Sequence, residues 1–197
     1  MGMGLRGTGV TARTLAAIGC GMALSLSAWT QGNPDFAGTV TGVIDGDTIK
    51  VQLSSGPITV RLAHIDAPES YQPGGGSATR ALHSRLLTQD VSLQVIEQEG
   101  EERALAVVLL EGENINAWMV KQGHAWAYRG FTQDANYCAW EDAARSLRRG
   151  LWSDPDWIAP WDWRMARKDP LFFATDHSNA STASCMRELR EAPALDD

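Results

Sequence analysis

The chain has 197 residues, with 17 Lys and Arg against 24 Asp and Glu, a formal net charge of −7, and 44% hydrophobic to 21% charged residues. This balance suits one folded domain with appendages and excludes wholesale disorder, a collagen-like repeat and a polytopic membrane protein. The acid excess argues against holding nucleic acid by a general basic surface, which works through counterion release by clustered Lys and Arg, so any anion must be gripped locally.

Residues 1–28 are expected to be a secretory signal peptide. Arg6 and Arg13 precede an apolar run over 15–24, shorter than the roughly 20 residues a spanning helix requires. Small residues then offer a cleavage site near Ser27 or Ala28. Gly19 and Gly21 disfavour a buried helix, each costing on the order of 1 kcal/mol in a helix interior. The mature protein is then secreted or periplasmic, with no stable membrane association, and residues 29–36 form a linker. Cys20 lies inside the signal, leaving Cys138 and Cys185. An even number in an exported chain permits a disulfide between them; two unrelated thiols are the other reading.

Strands are expected over 39–44 and 48–53, separated by Asp45-Gly46, a strong hairpin signal between alternating segments. A third strand over 58–65 follows the turn Ser54-Ser55-Gly56-Pro57 and completes a meander. Gly74-Gly75-Gly76 reads as a flexible loop, and 78–87 as a helix with Ala78, Ala81, Leu82, Arg85 and Leu86 at helical spacing. Two more strands fit 91–96 and 104–110. Asn114 caps a short helix through Val120 that Gly123 ends, and another helix runs from about 135 to 148 and stops at Gly150. Five short strands interleaved with helices predict an α+β fold, a small barrel with helices packed on it. The tryptophans of the C-terminal half read as core or clamp residues, with Trp126 a candidate for base stacking. Residues 166–197 are expected to be a tail that is ordered only through Cys185.

The chemistry-bearing residues are Asp47 after the hairpin turn, Arg61 within the third strand, and Asp66 and Glu69 flanking Ala67-Pro68 at its end. They converge if the second and third strands pair. Pro68 biases Ala67 away from helical angles, so the extended chain aims the Asp66 carboxylate and the Ala67 carbonyl at one point. Two carboxylates and a carbonyl are hard oxygen ligands suited to Ca²⁺. A third acid beside such an ion can hold or activate water, and an arginine fork suits phosphate. Singly, each residue has an ordinary structural use. The spacings of zinc sites and of nucleotide-triphosphate loops are absent. His64, His83 and His124 read as packing, rim or surface residues.

The strings Val43-Ile44-Asp45-Gly46-Asp47-Thr48-Ile49-Lys50-Val51 and Arg61-Leu62-Ala63-His64-Ile65-Asp66-Ala67-Pro68-Glu69 resemble the signature of the staphylococcal nuclease (thermonuclease) family. Asn114, Ile115, Asn116, Val120, Gln122 and Gly123 fit its second helix. Tyr137, Glu141, Ala144, Arg145 and Gly150-Leu151-Trp152 fit its last helix and exit. The segment Pro160-Trp161-Asp162-Trp163-Arg164 resembles the exported bacterial branch, so the similarity spans about 37–165, which marks the domain. The resemblance implies a five-stranded OB-type β-barrel with about three packed helices, and a monomeric nuclease that hydrolyses DNA or RNA with one Ca²⁺ and little sugar specificity, single strands preferred. It places Asp47, Asp66 and the main-chain oxygen of Ala67 at the metal, and Glu69 at the attacking water. Arg61 and Arg103 fall at the phosphate, and Tyr128 and Arg129 near the nucleotide.

One segment departs from the family. A pattern close to Asp-x-Tyr-Gly-Arg is expected before the second catalytic arginine, whereas this chain reads Glu99-Gly100-Glu101-Glu102-Arg103. The tyrosine that would face substrate and the glycine that tightens the turn are missing, and acids at 97, 99, 101 and 102 should repel a polyanion. Two other classes compete with the nuclease: a non-catalytic OB-fold module binding single-stranded nucleic acid or a protein, and a structural envelope protein indifferent to calcium. Retention of Asp47, Arg61, Asp66, Glu69 and Arg103 favours catalysis.

Overall fold

The structure, a computed structural model, describes residues 36–172 apart from 131, 133, 156 and 170, together with 182–191; the side chains of 99 and 187–191 are outside this description. The signal-peptide segment and all of the expected linker except Phe36 lie outside the described residues.

Five strands close a barrel: β1 (Phe36–Val43), β2 (Thr48–Leu53), β3 (Gly56–Leu62), β5 (Asp90–Glu99) and β6 (Arg103–Leu110). Antiparallel pairs β1–β2, β2–β3, β1–β5 and β5–β6 are joined by a parallel β3–β6 seam in which Thr59 faces Arg103 and Arg61 faces Leu105. Period-2 patterning explains why these segments close this way. Along β6 the even positions Ala104, Ala106, Val108 and Leu110 are buried, while Arg103, Leu105, Val107 and Leu109 face outward. Register shifts at 40–42 in β1 and 95–97 in β5 mark bulges that sharpen the local twist. The barrel core is fully buried at Val40, Ile49, Val51, Val60, Leu62, Leu93, Ala106 and Val108.

Helices α1 (Gly75–Leu86), α2 (Ile115–Lys121) and α3 (Ala135–Ser146) pack on the barrel. Asn114 caps α2 by accepting from the Ala117 amide at 2.9 Å, as its position predicts. Two short pairings complete the sheets: β4 (Ile65–Asp66) with β8 (Trp126–Ala127), and β7 (Glu113–Asn114) with the end of β6. The α+β barrel is thus the architecture the sequence predicts.

The local differences have physical causes. The third strand ends at Leu62 rather than 65, because His64 takes a left-handed φ of 67° that turns the chain out of the barrel before β4 begins. The Gly74-Gly75-Gly76 segment is the start of α1, not a flexible loop. A Cβ on Gly75 would collide with the Glu69 carbonyl oxygen, so glycine lets the helix seat against the loop that carries Glu69. The β5–β6 turn does contain a left-handed glycine, Gly100 at φ 69°, three residues before Arg103. Lastly, 166–168 belong to α4 (Pro160–Lys168), which has proline at its first turn and crosses the expected domain boundary. In the tail, α5 (Thr182–Glu191) is bonded to α3 through a Cys138–Cys185 disulfide. Asp142 also accepts from the Thr182 hydroxyl at 2.7 Å and its amide at 3.2 Å.

Candidate active site

The site forms where the β1–β2 hairpin, the end of β3 and the 63–72 segment meet. Asp47 is buried, and its Oδ2 accepts from the Ala67 amide at 2.7 Å while Oδ1 accepts from the Thr48 hydroxyl at 3.1 Å. Arg61 leaves the outward face of β3 opposite Thr48, which carries its guanidinium across the hairpin. Its Nη1 donates to Asp47 Oδ1 and its Nη2 to Asp66 Oδ1, each at 3.1 Å. One guanidinium therefore holds two buried carboxylates at its two ends, the convergence expected from strand pairing.

Buried Asn116 sets the direction of the chain beyond β3. Its amide donates to the Ala63 and Ala106 carbonyls at 2.9 and 3.0 Å, and its oxygen accepts from the Val108 amide at 3.0 Å. All its main hydrogen-bonding capacity goes into fastening the turn before Asp66 to β6. Pairing of Asp66 with Trp126 then fixes β4. Beyond Pro68, buried Gln72 accepts from the Glu69 amide at 3.1 Å and donates to the Ile158 carbonyl at 2.6 Å, so the Glu69 loop is anchored to the segment leading into α4.

Arg164 of α4 completes the cluster. It donates to Asp66 Oδ2 at 2.7 Å and Oδ1 at 3.1 Å, and to Glu69 Oε1 at 2.9 Å. Burial alone would lower its pKa, but the bonds to Asp66 and the charges of Asp66 and Glu69 raise it, so the guanidinium stays charged. Asp45, whose carboxylate accepts from the Asp47 amide at 3.0 Å, adds a further acid. Burial pushes the Asp47 carboxyl up to about 7, against the opposing pull of Arg61. Four acids meet two arginines here, an arrangement short of positive charge.

That shortage bears on a cation. Among the described residues no three His, Cys, Asp or Glu side chains are grouped to hold a metal by themselves. The candidate donors are the Asp47 and Asp66 carboxylates, which accept from Arg61, Arg164 and the Ala67 amide. With the main-chain oxygen that the resemblance implies at Ala67 they make a hard set of the kind Ca²⁺ takes, whose shell is commonly filled out by carbonyls and water. Desolvated Asp47 is the group that such a charge would relieve.

Arg103 is exposed and stands opposite Thr59, on the same outward barrel face as Arg61. Tyr128 is half-buried; its amide donates to the His64 carbonyl at 2.9 Å and its ring lies 6.1 Å from Trp161. Arg129 is placed elsewhere than the resemblance implies. It is buried, with Nη1 on Glu141 Oε2 at 2.6 Å and Nη2 on Oε1 at 2.9 Å, which makes it part of the β8–α3 junction rather than a substrate contact. Trp126 is likewise fully buried, edge-on to Trp152, Trp157 and Trp161, and offers no face to a base. Sequence reasoning missed the reach of Gln72 and Arg164 into the site, since both act through partners about ninety residues away. The one available signal was Arg164 within the Pro-Trp-Asp-Trp-Arg string.

Comparison with known proteins points to one family. The family model described as "Staphylococcal nuclease homologue" matches residues 59–154. A "Micrococcal nuclease" of Shigella flexneri is 42% identical over an alignment covering 74% of this chain and 88% of that protein. An "Uncharacterized endonuclease" of Escherichia coli O157:H7 is 35% identical, covering 73% and 94%. Another of that name from Haemophilus influenzae is 38% identical, covering 68% and 76%.

Proposed function

Because the chain belongs to the staphylococcal nuclease family, we propose that it is an exported, calcium-dependent nuclease that hydrolyses phosphodiester bonds of DNA or RNA, with single strands preferred. The observation that carries the reading is Arg61 holding buried Asp47 and Asp66 at its two ends, 3.1 Å from each, with Glu69 joined to Asp66 through Arg164. A structural barrel has no need to bury two acids and gather a third beside them.

In this reading Asp47, Asp66 and the Ala67 carbonyl hold the calcium ion, which supplies Lewis-acid polarisation of a phosphate oxygen when bound. Glu69, partly exposed beside the acids, orients a water molecule and accepts its proton as the oxygen attacks phosphorus. Arg61 and Arg103 donate to the equatorial oxygens as negative charge builds on them, a fixed electrostatic environment that lowers the barrier without reorganising. The phosphorus–oxygen bond opposite the attacking water breaks, and the leaving oxygen takes a proton from solvent water while Glu69 returns its own to solvent. Tyr128, on the side facing α4, contacts the nucleotide. Among the described residues no helix is long and apolar enough to cross a membrane.

The test is hydrolysis of single-stranded and duplex DNA by the purified protein, with calcium and with a chelator, alongside Glu69→Ala. Chelator-sensitive cleavage that the variant loses is expected. A folded sample that binds single strands without cutting them would instead establish the non-catalytic OB-fold module.

A further inference from the structure

A groove of about 510 Å³ opens beside Glu69, between the loop at 69–71 and α4. Its size lies within the range of roughly 300–1,000 Å³ typical of ligand clefts. Glu69 and Arg164 form the end that adjoins the acid cluster, while Tyr71, Trp163, Arg167 and Lys168 line the remainder. The family model's match stops at residue 154, and α4 begins at Pro160, so this wall lies outside the segment that the family model covers.

Three features of the groove point the same way. Tyr71 is 88% exposed, a large aromatic ring left almost wholly in water next to the site. Trp163 is half-buried and lines the same groove, a second aromatic ring beside that space. Arg167 and Lys168 are exposed cations at the end of α4 on a chain whose net charge is −7. Interaction with the helix dipole accounts for two basic residues in a last turn. It does not account for two aromatic residues, one of them almost wholly exposed, lining the same groove. Aromatic faces alternating with cations are what single-stranded nucleic acid recognises: bases stack on the rings and phosphates track the charges.

We propose that this groove is a binding subsite for the nucleotide adjoining the scissile phosphate of a single-stranded polynucleotide. Tyr71 and Trp163 take an unpaired base, and Arg167 and Lys168 take the flanking phosphates. The proposal rests on the nuclease reading and extends it: α4 adds a second local grip on the polyanion beside that of Arg61 and Arg103, and a duplex, whose bases are already stacked, gains nothing from the rings.

The experiment measures binding of a fluorescent thymidine oligonucleotide to the full chain carrying Glu69→Gln, in the presence of calcium. It compares this parent with versions that add Tyr71→Ala, or Arg167→Ala with Lys168→Ala. Cleavage by the unmodified protein and the melting temperature of each variant are recorded in parallel. Loss of the stacking face should weaken binding on the order of ten-fold. Loss of the two cations should make the dependence of log affinity on log salt shallower by about 1.4, at roughly 0.7 per phosphate for a single strand. Folded variants that bind with the parent's affinity and salt slope, while the unmodified protein still cleaves, overturn the subsite and leave the nuclease reading standing. A folded parent that binds no oligonucleotide, from a protein that cleaves none, overturns both.

Discussion

Asp66 and Arg164 meet across 98 positions of sequence, with both carboxylate oxygens of the buried aspartate taken by the two terminal nitrogens of the arginine at 3.1 and 2.7 Å. The contact makes α4 part of the site rather than a trailing segment, because the same guanidinium also holds Glu69. It also sets a competition: Arg164 occupies oxygens that a bound cation would share.

The first prediction follows from that contact. Asp66 is 1% exposed, so Arg164→Ala removes one of the two arginines that compensate a buried charge. Because the Arg164 side chain is itself one-third exposed, the cost should be on the order of 2 kcal/mol, as for hydrogen bonds to charged groups, rather than that of a fully buried pair. Arg164→Lys should restore little, since an ammonium cannot span both oxygens of a carboxylate. Urea unfolding of the three proteins checks both statements.

Arg61 and Arg103 carry the second prediction. Each supplies charge where the transition state gathers it, and removing one such partner typically costs on the order of 10²–10³ in rate. Arg61→Ala and Arg103→Ala should therefore be nearly inactive in single-turnover cleavage of DNA while keeping the far-ultraviolet circular dichroism of the parent. Variants that retain most of the turnover would remove the phosphate role from these residues.

The barrel was legible because its signals are local. Alternating apolar residues, Asp45-Gly46 and Asn114 each act within a few positions, and β1, β2 and α2 follow them. The strand expected to reach Ile65 stops early for a non-local reason: apolar residues continue at Ala63 and Ile65, but Asn116 holds the Ala63 carbonyl and His64 turns left-handed. Gly75 misled in the opposite sense. Glycine disfavours helix by about 1 kcal/mol, yet only a residue without a Cβ fits against the Glu69 carbonyl. Arg129 read as a substrate contact because the resemblance places the segment after the second helix near the nucleotide. Its partner, Glu141, is on α3, and no local pattern announces the pair. Within the site, Asp47, Arg61, Asp66 and Glu69 were legible from their motifs, whereas Gln72 and Arg164 depended on the tertiary fold.

The Arg129–Glu141–Arg145 junction carries a pH prediction. Burial alone would raise the Glu141 carboxyl, but the Arg129 hydrogen bonds, the charges of Arg129 and Arg145 and the Ala127 amide outweigh it and hold the group below its ordinary 4.5. A carboxylate depressed by folding contributes stability that is fully present above the unfolded value and is lost as pH falls through the folded one. Melting temperature should therefore fall as pH is lowered below about 4.5. Glu141→Gln should be destabilised at neutral pH by about 3 kcal/mol, the scale of a broken buried pair, with a flatter acid limb. A variant with the parent's acid limb would show that another group controls it.

The disulfide between Cys138 and Cys185 closes a span of 47 residues and fastens α5 to α3. Cross-links of this kind commonly contribute about 2–4 kcal/mol by restricting the unfolded chain. Reduction, or Cys138→Ser with Cys185→Ser, should lower the unfolding midpoint and expose α5 to proteolysis, while cleavage by the surviving folded protein continues because neither cysteine touches the acid cluster. Loss of cleavage in a protein whose barrel remains folded would instead tie α5 to the site.

The most direct measurement is single-turnover cleavage of a single-stranded DNA in saturating calcium by the unmodified protein and by Glu69→Gln, side by side. A positioned general base contributes roughly 10²–10⁴ in rate, so the unmodified protein should cut and the variant should be slower by at least about 10², with the parent's melting behaviour. A variant that keeps most of the rate, or a folded unmodified protein that cuts nothing, would contradict a nuclease whose water is handled at the Asp47–Asp66–Glu69 cluster.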